Sequence, residues 1–275
     1  MKDMTFGQYY PTNSVVHKMN ASVKILLVIA YIVAVFMVKP YHFLGFLACF
    51  TVVILVTILA KLPFSKVLKS MKAVIFIVLF TSVLQVFFNK NGTPLWQGGF
   101  ITDEGLLTAL LISLRIILTV LGASILTLTT SPVELADGLE FLLYPLKWIK
   151  FPVHEFALIM SIALRFIPTL LEETDRIIKA QKARGANFES GNIFKRAKAL
   201  IPVLIPLLIS SFRRADELAD AMDARCYAGS KVRTKYKKAK FNLADAFGIL
   251  FFAGLIVGVV FLNKFYLYPL LGGVI

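Results

Sequence analysis

Five long apolar runs, separated by short polar loops, dominate this 275-residue chain. Apolar backbone placed in a bilayer must satisfy its own hydrogen bonds, and a helix at about 1.5 Å per residue is the way a single segment does so across ~30 Å of hydrocarbon. The composition agrees, because 58% of the residues are hydrophobic and only 17% are charged. We therefore predict an all-α integral membrane protein with about five transmembrane helices, at residues 21–38, 41–59, 73–88, 106–128 and 244–262.

The loops between these runs predict the orientation. The loop after the second run holds four lysines and no acid, whereas the loop after the third run contains Trp96. Because lysine-rich loops stay on the cytoplasmic side, we expect the N-terminus and the four-lysine loop inside, and the Trp96 loop and the C-terminus outside. The predicted location is the bacterial cell membrane, which the chain would cross several times. The four lysines are Lys61, Lys66, Lys69 and Lys72.

Two long amphipathic helices are predicted between the fourth and fifth runs. The sequence Ser131-Pro132-Val133-Glu134 is typical of a capping box, with proline at the first helical position. Residues 153–184 and 193–225 then carry apolar side chains at helical spacing with charges between them. The apolar part of the second helix is only about a dozen residues long, which is too short to span a membrane. We expect both helices to lie under or partly in the membrane, with their ends in the cytoplasm.

These features divide the chain into three parts. A membrane bundle of about four spans is predicted for 1–130, a coupling-helix region for 131–240, and the last transmembrane helix with a tail for 241–275. Residues 176–240 hold 16 basic and 5 acidic residues, a balance of +11 (16 − 5) out of the total of +14. A basic stretch beside membrane spans indicates the cytoplasmic side. A nucleic-acid partner is not expected, because no aromatic-basic binding motif accompanies it.

A short pattern occurs at the end of both amphipathic helices. Ala183-Arg184-Gly185 ends the first and Ala224-Arg225-Cys226 ends the second, with the arginines 41 positions apart. An arginine can cap a helix C-terminus through the macrodipole, or its fork of donors can bind carboxylates and carbonyls of another protein. Both arginines follow an alanine and precede a small residue at the end of a helix. This match favours a pair of docking points, and it leaves open what they bind.

Several other functions are disfavoured. No G-x-x-x-x-G-K-[ST] pattern is present, so the chain is not expected to bind ATP through a P-loop of its own. The three histidines (His17, His42 and His154) have no ligand spacing, and no metal site is expected. An autonomous membrane carrier or channel remains an alternative, but the interiors of the predicted spans lack the carboxylates that an ion-coupled carrier uses. Asp245 is at the entrance of the last span, where the positive end of a helix favours an acid. A membrane enzyme is a third class, weakened by the lack of a cluster of acid, base and nucleophile.

Three residues inside the spans have structural explanations. We expect Arg115 to be paired within the helix bundle or to extend towards the interface, with contact to a partner subunit or to a lipid headgroup as the alternative. Gly254 and Gly258 form a small-xxx-small pair, for which ordinary packing within the bundle is favoured over a contact with another subunit.

With these motifs, the chain resembles the transmembrane (T) component of energy-coupling factor (ECF) transporters, which belong to the ATP-binding-cassette (ABC) class. The resemblance covers essentially the whole chain and is densest between about residues 131 and 234. Two departures are the absence of Asp-Pro-Arg before the first span and a cysteine at the end of the second tip. The similar segments are residues 7–11, 131–134, 163–168, 182–186 and 221–227.

The resemblance implies a function and partners. A T component joins two ABC ATPases to a substrate-binding membrane subunit, the S component, for uptake of vitamins or other micronutrients. The chain would be non-catalytic and would need no cofactor, since the ATPases bind the ATP. By motif match, Arg184 and Arg225 with their flanking residues would each fit a groove on one ATPase. The apolar face of the second long helix is a candidate for S-component contact, at Leu200, Leu204, Leu207 and Leu208.

Overall fold

The computed structural model describes residues 9–39, 43–89, 102–186, 188, 192–227, 229 and 241–264. Pro40, the Trp96 loop and the C-terminal tail lie outside these ranges. The described part is built of helices, and the predicted all-α class is confirmed. The helices are α1 Ala21–Met37, α2 Phe43–Leu59, α3 Phe64–Phe88, α4 Asp103–Thr129, α5 Pro132–Leu143, a 3₁₀ helix Tyr144–Ile149, α6 Val153–Ala183, α7 Ile193–Asp223 and α8 Leu243–Lys264.

All five predicted apolar runs form helices, although they differ in length. Within the described residues, α4, α6 and α8 are long and apolar enough to cross a membrane. Helix α3 qualifies as a fourth span if its two parts, which meet at a bend of 56°, are counted together. Helices α1 and α2 have 17 residues each, or about 26 Å. Helix α6 differs from its prediction. The sequence predicts it at the membrane interface, but it is long and apolar enough to cross a membrane.

The described residues divide into two compact units. Unit 1 comprises those within Met1–Gly138 and Ala239–Ile275, and unit 2 those within Leu139–Lys238. In unit 1, α3 packs along α4, and α1 packs against both α4 and α8. Tyr31 lies at the centre of this packing and is almost fully buried. Its ring occupies the space that a Cβ at Gly122 would fill, so glycine is required for the close approach of α1 and α4.

Two buried charges connect helix ends in unit 1. The Lys24 ammonium donates to the carbonyls of His17 and Thr129, both at 3.1 Å. Asp245 is fully buried, and its carboxylate accepts the backbone N–H of Asn20 at 2.9 Å and that of Asn242 at 2.8 Å. Because α1 begins just after Asn20 and α8 just after Asn242, one carboxylate satisfies unpaired donors at the starts of two helices.

The predicted capping box is confirmed. The backbone N–H of Glu134 donates to Ser131 Oγ at 3.3 Å, and the N–H of Ser131 donates to Glu134 Oε2 at 3.2 Å. These reciprocal bonds satisfy two donors at the start of α5 and separate α5 from the preceding α4.

Arg115 is paired within the bundle, in agreement with the favoured interpretation. Its Nη2 donates to the carbonyl of Val38 at 2.7 Å, and its guanidinium lies 5.8 Å from the ring of Phe36 and 5.7 Å from that of Phe46. The carbonyl at the end of α1 is thereby satisfied. The favoured interpretation of Gly254 and Gly258 is wrong, because a Cβ at either position would meet no described atom within 4 Å.

Replacing Asp245 by alanine should destabilise unit 1, because two buried N–H groups lose their acceptor. The expected loss is about 2–6 kcal/mol for the two donors, at roughly 1–3 kcal/mol per unsatisfied donor. Asp245→Asn keeps one acceptor oxygen and should give an intermediate loss. The measurement is the melting midpoint of the purified chain in detergent. Asp216→Ala, at an exposed position of α7, is the control and should leave the midpoint unchanged; equal midpoints for all variants would contradict the assigned role of Asp245.

The paired ends of helices α6 and α7

Unit 2 contains the two long helices that carry the arginine motifs. Helices α6 and α7 have 31 residues each, or about 46 Å at ~1.5 Å per residue. Both run without a break through internal prolines, at Pro168 in α6 and at Pro202 and Pro206 in α7. Each helix separates apolar from charged side chains along its length, as the sequence periodicity predicts.

Helix α6 ends in a Schellman motif. The N–H of Gly185 donates to the carbonyl of Lys182 at 3.0 Å, and that of Ala186 donates to Gln181, also at 3.0 Å. Gly185 has a φ of +87°, the left-handed conformation that this motif needs and that glycine adopts without a steric penalty. Arg184 is thus the last residue before the chain turns away from the helix axis.

Helix α7 ends in the same way. The N–H of Cys226 donates to the carbonyl of Asp223 at 2.9 Å, and that of Tyr227 donates to Met222 at 3.1 Å. Cys226 has a φ of +57° and occupies the place that Gly185 has in α6. Arg225 therefore stands in the same backbone position as Arg184, so the two tripeptides are structurally equivalent.

The third residue of each motif adopts a left-handed backbone conformation. A left-handed backbone costs an ordinary L-residue about 1–2 kcal/mol, because Cβ approaches the carbonyl oxygen. Gly185 avoids this cost, whereas Cys226 bears it without the additional crowding of a β-branched side chain. The free Cys226 is exposed, unlike the buried Cys49.

All six residues of the two motifs are exposed (Ala183, Arg184, Gly185, Ala224, Arg225 and Cys226). Within the described part of the chain, neither guanidinium makes a side-chain hydrogen bond or ion pair, and the capping bonds at both ends come from backbone N–H groups. Capping of carbonyls by the arginines is therefore not what the structure shows. Both forks of donors are free to meet groups of another molecule.

A three-residue cluster joins α6 to α7 further from these ends. Glu173 Oε2 lies 2.7 Å from Arg214 Nη2, and Glu173 Oε1 accepts a hydrogen bond from Ser210 Oγ at 2.7 Å. We call these three residues the clasp. Sequence analysis did not identify it, because Glu173 and Arg214 are far apart in the chain. The available signal was their separation of 41 residues, which is also the separation of the two tip arginines.

The leucines predicted to contact an S component are not all equally exposed. Leu200, Leu204 and Leu208 are 45%, 58% and 59% exposed and form one stripe at intervals of four residues. Leu207 is only half-exposed and lies four residues from the buried Val203. Of the four predicted leucines, Leu200, Leu204 and Leu208 are therefore the exposed ones, and they belong to a larger exposed apolar surface of α7 that includes Ile201, Ile205 and Ile209.

The described histidines take part in local hydrogen bonds. His17 Nδ1 lies 2.7 Å from Ser14 Oγ, and His154 Nδ1 lies 3.1 Å from Glu140 Oε1. Burial lowers the pKa of His17 below its usual value, and this effect outweighs the hydrogen bond to the Tyr10 carbonyl. Within the described ranges, no group of three or more His, Cys, Asp or Glu side chains is placed to hold a metal ion.

These features define the class as a multi-pass helical membrane protein that presents two equivalent arginine-bearing helix ends. A protein-family model described as "CbiQ: Cobalt transport protein" matches residues 12–236. The energy-coupling factor transporter transmembrane protein EcfT of Ruminiclostridium cellulolyticum is 50% identical over 89% of this chain and 91% of its own length. That of Acidaminococcus fermentans is 50% identical over 96% and 98%, and that of Bacillus subtilis 45% identical over 89% and 92%.

The chain therefore belongs to the EcfT family of energy-coupling factor transporter transmembrane proteins. This confirms the predicted membership of the ECF T components and identifies the chain as a transporter membrane component.

Replacing Cys226 tests the left-handed tip. Cys226→Gly should relieve backbone strain and slow amide hydrogen exchange in the peptide covering 219–227 by roughly fivefold, from a gain of about 1 kcal/mol. Cys226→Val should accelerate exchange there. The matched change Gly185→Ala should accelerate exchange in the peptide covering 178–186. The proposed equivalence of the two ends would be disproved if Cys226→Gly accelerated exchange.

Removing the clasp should loosen the relative placement of the two helix ends. Spin labels on the native Cys226 and on an introduced Ala186→Cys report their distance distribution. Arg214→Ala and Glu173→Ala should each broaden that distribution, and combining them should add little, because either change breaks the same contact. The exposed change Asp216→Ala is the control. An unaltered distance distribution in both single variants and in the double variant would show that other contacts determine the relative placement of α6 and α7.

Proposed function

We propose that this chain is the energy-coupling subunit of an ECF-type ABC importer. It links two ABC ATPases to a membrane-embedded S component that binds the substrate. The observation that carries the proposal is the equivalence of the two helix ends, each with an exposed arginine before a left-handed residue. Two related ATPases offer two related grooves, and a chain with two equivalent exposed ends is suited to occupy both.

The chemistry of the contact follows from the guanidinium group. A planar fork of donors binds a carboxylate or adjacent backbone carbonyls in a fixed geometry, which a lysine ammonium does not reproduce. The Schellman ends hold each arginine at the point where the helix stops, where its side chain is exposed. ATP is bound and hydrolysed by the partner ATPases, and the role of this chain is mechanical.

Transmission of force requires that the two helices move as one body. ATP binding closes the ATPase pair and displaces both helix ends, and the clasp passes this displacement across the α6–α7 crossing. The S component then reorients in the membrane and releases its substrate inside. The exposed stripe of Leu200, Leu204 and Leu208 is the proposed contact with that component, with the half-exposed Leu207 at its edge.

The proposed orientation places the N-terminus and both arginine ends in the cytoplasm, where ATPases are found. The substrate class is a vitamin or another micronutrient, and the family description, which names cobalt transport, fits a micronutrient. Specificity would reside in the S component. A self-contained carrier or channel is the second candidate, but the buried charges Lys24 and Asp245 are occupied by backbone groups at helix ends and are not placed along a path.

Charge reversal at the two ends tests the proposal. Arg184→Glu and Arg225→Glu should each reduce the amount of ATPase that co-purifies with the tagged chain by at least about tenfold, since a carboxylate replaces a bound cation. The double variant should retain none. Arg213→Glu, an exposed reversal on α7 away from the end, is the control and should bind normally.

Partners are identified by mass spectrometry after purification from the native membrane in mild detergent. Normal complex yield and normal transport in the double variant would refute the docking role. Recovery of the wild-type chain without an ATPase would favour the autonomous carrier.

A further inference from the structure

The two helices that end alike carry opposite charges just before their ends. An offset of 41 residues aligns Arg184 with Arg225. In this alignment, three successive charged positions are basic in α6 and acidic in α7. The exposed basic residues of α6 form what we call the basic stripe, and their exposed acidic counterparts in α7 form the acidic stripe. The aligned pairs are Arg176 with Glu217, Lys179 with Asp220, and Lys182 with Asp223.

Spacing places each stripe on one side of its helix. The three positions lie eight, five and two residues before the tip arginine, and side chains three residues apart are neighbours on a helix surface. Residues 176–186 contain four basic residues and no acid, a charge of +4. The aligned residues 217–227 contain one arginine and three acids, a charge of −2 (1 − 3). The surfaces beside two equivalent ends are therefore of opposite sign.

Attraction between the helices does not account for the inversion. The clasp pair Glu173 and Arg214 is inverted in the same alignment and does form an ion pair, at the crossing. Beyond the crossing, Lys179, Asp220 and Asp223 are exposed and form no ion pair with any described residue. Lys179, Asp220 and Asp223 are thus available to a partner.

We infer that the two stripes assign each helix end to its own ATPase groove, the α6 end to a groove with an acidic rim and the α7 end to a groove with a basic rim. This inference rests on the proposed function. The arginines supply the same anchor at both ends, so they cannot distinguish two grooves. Oppositely charged flanks do distinguish them, because the wrong pairing brings like charges together.

An anionic lipid surface would attract the basic stripe and repel the acidic one. A protein groove explains both stripes, since they occupy the same positions relative to the same docking arginine. Cross-linking from the helix ends in the assembled complex distinguishes a lipid surface from a protein groove, because each cross-linked product is identified by its mass.

The experiment uses the single exposed thiol. The complex of the full chain with its co-purified ATPases, reconstituted in nanodiscs, is treated with a thiol-linked photocross-linker. The wild type reports the α7 end through Cys226, and the exchanged pair Cys226→Gly with Gly185→Cys reports the α6 end at the matched position. Cys49 is buried, and a Cys226→Gly chain without a second change measures its background.

The expected result is that the two ends cross-link to different ATPase grooves. Reversing the acidic stripe (Glu217→Lys, Asp220→Lys and Asp223→Lys) should lower the cross-link yield at the α7 end by about tenfold, as three partly screened charge contacts are replaced by repulsions. Reversing the basic stripe (Arg176→Glu, Lys179→Glu and Lys182→Glu) should do the same at the α6 end. Reversing both should exchange the grooves that the two ends reach.

The control is Asp216→Lys, which changes a charge at a position where both helices carry aspartate, Asp175 and Asp216. It should leave both assignments intact. Cross-linking of both ends to the same groove, or an assignment that survives reversal of both stripes, would overturn the inference while leaving docking itself established. Loss of dependence on anionic lipid after reversal of the basic stripe, with unchanged cross-links, would also overturn it. A wild-type chain that cross-links to no ATPase would instead refute the proposed function.

Discussion

Two buried charges in unit 1 satisfy backbone groups at the ends of three of its helices. Asp245 accepts the backbone donors of Asn20 and Asn242, and Lys24 donates to carbonyls of the N-terminal segment and of the last turn of α4. A helix end buried in protein leaves polar groups that water cannot reach, and each such group is costly unless it is paired. The charged side chains meet this need for three helices at once, and so they specify the arrangement of α1, α4 and α8.

Unit 2 is organised by a different principle. Its two long helices share an end motif in which the backbone caps itself, so the arginine side chain is not needed for capping. An arginine side chain that is not used for capping is available for binding. The third residue of each motif adopts the left-handed conformation that closes the helix, which disfavours β-branched side chains. Cys226 and Gly185 are two solutions of one conformational requirement.

The clasp and the stripes form one charge pattern. At the crossing, inverted charges on aligned positions meet as the Glu173–Arg214 pair, and beyond it the inversion continues on exposed surfaces. A single relation between the two helices therefore serves two purposes in the proposed mechanism. It holds the helices together where they touch, and it makes their outer flanks different where they would meet separate partners.

Hydropathy and spacing were sufficient for the helical membrane class, the capping box at Ser131 and Glu134, and the two arginine ends, because each depends on local backbone chemistry. Membership of the EcfT family was likewise foreseeable from motifs. The partners of Asp245, the pairing of Arg115 with Val38 and the clasp required the tertiary structure, because they join residues distant in the chain. The same reason explains the error at Gly254 and Gly258, where the pattern is suited to packing but a Cβ would meet no atom of the described residues within 4 Å. Local sequence determines what each helix is and how it ends, whereas three-dimensional packing decides which buried polar groups meet and which faces remain exposed.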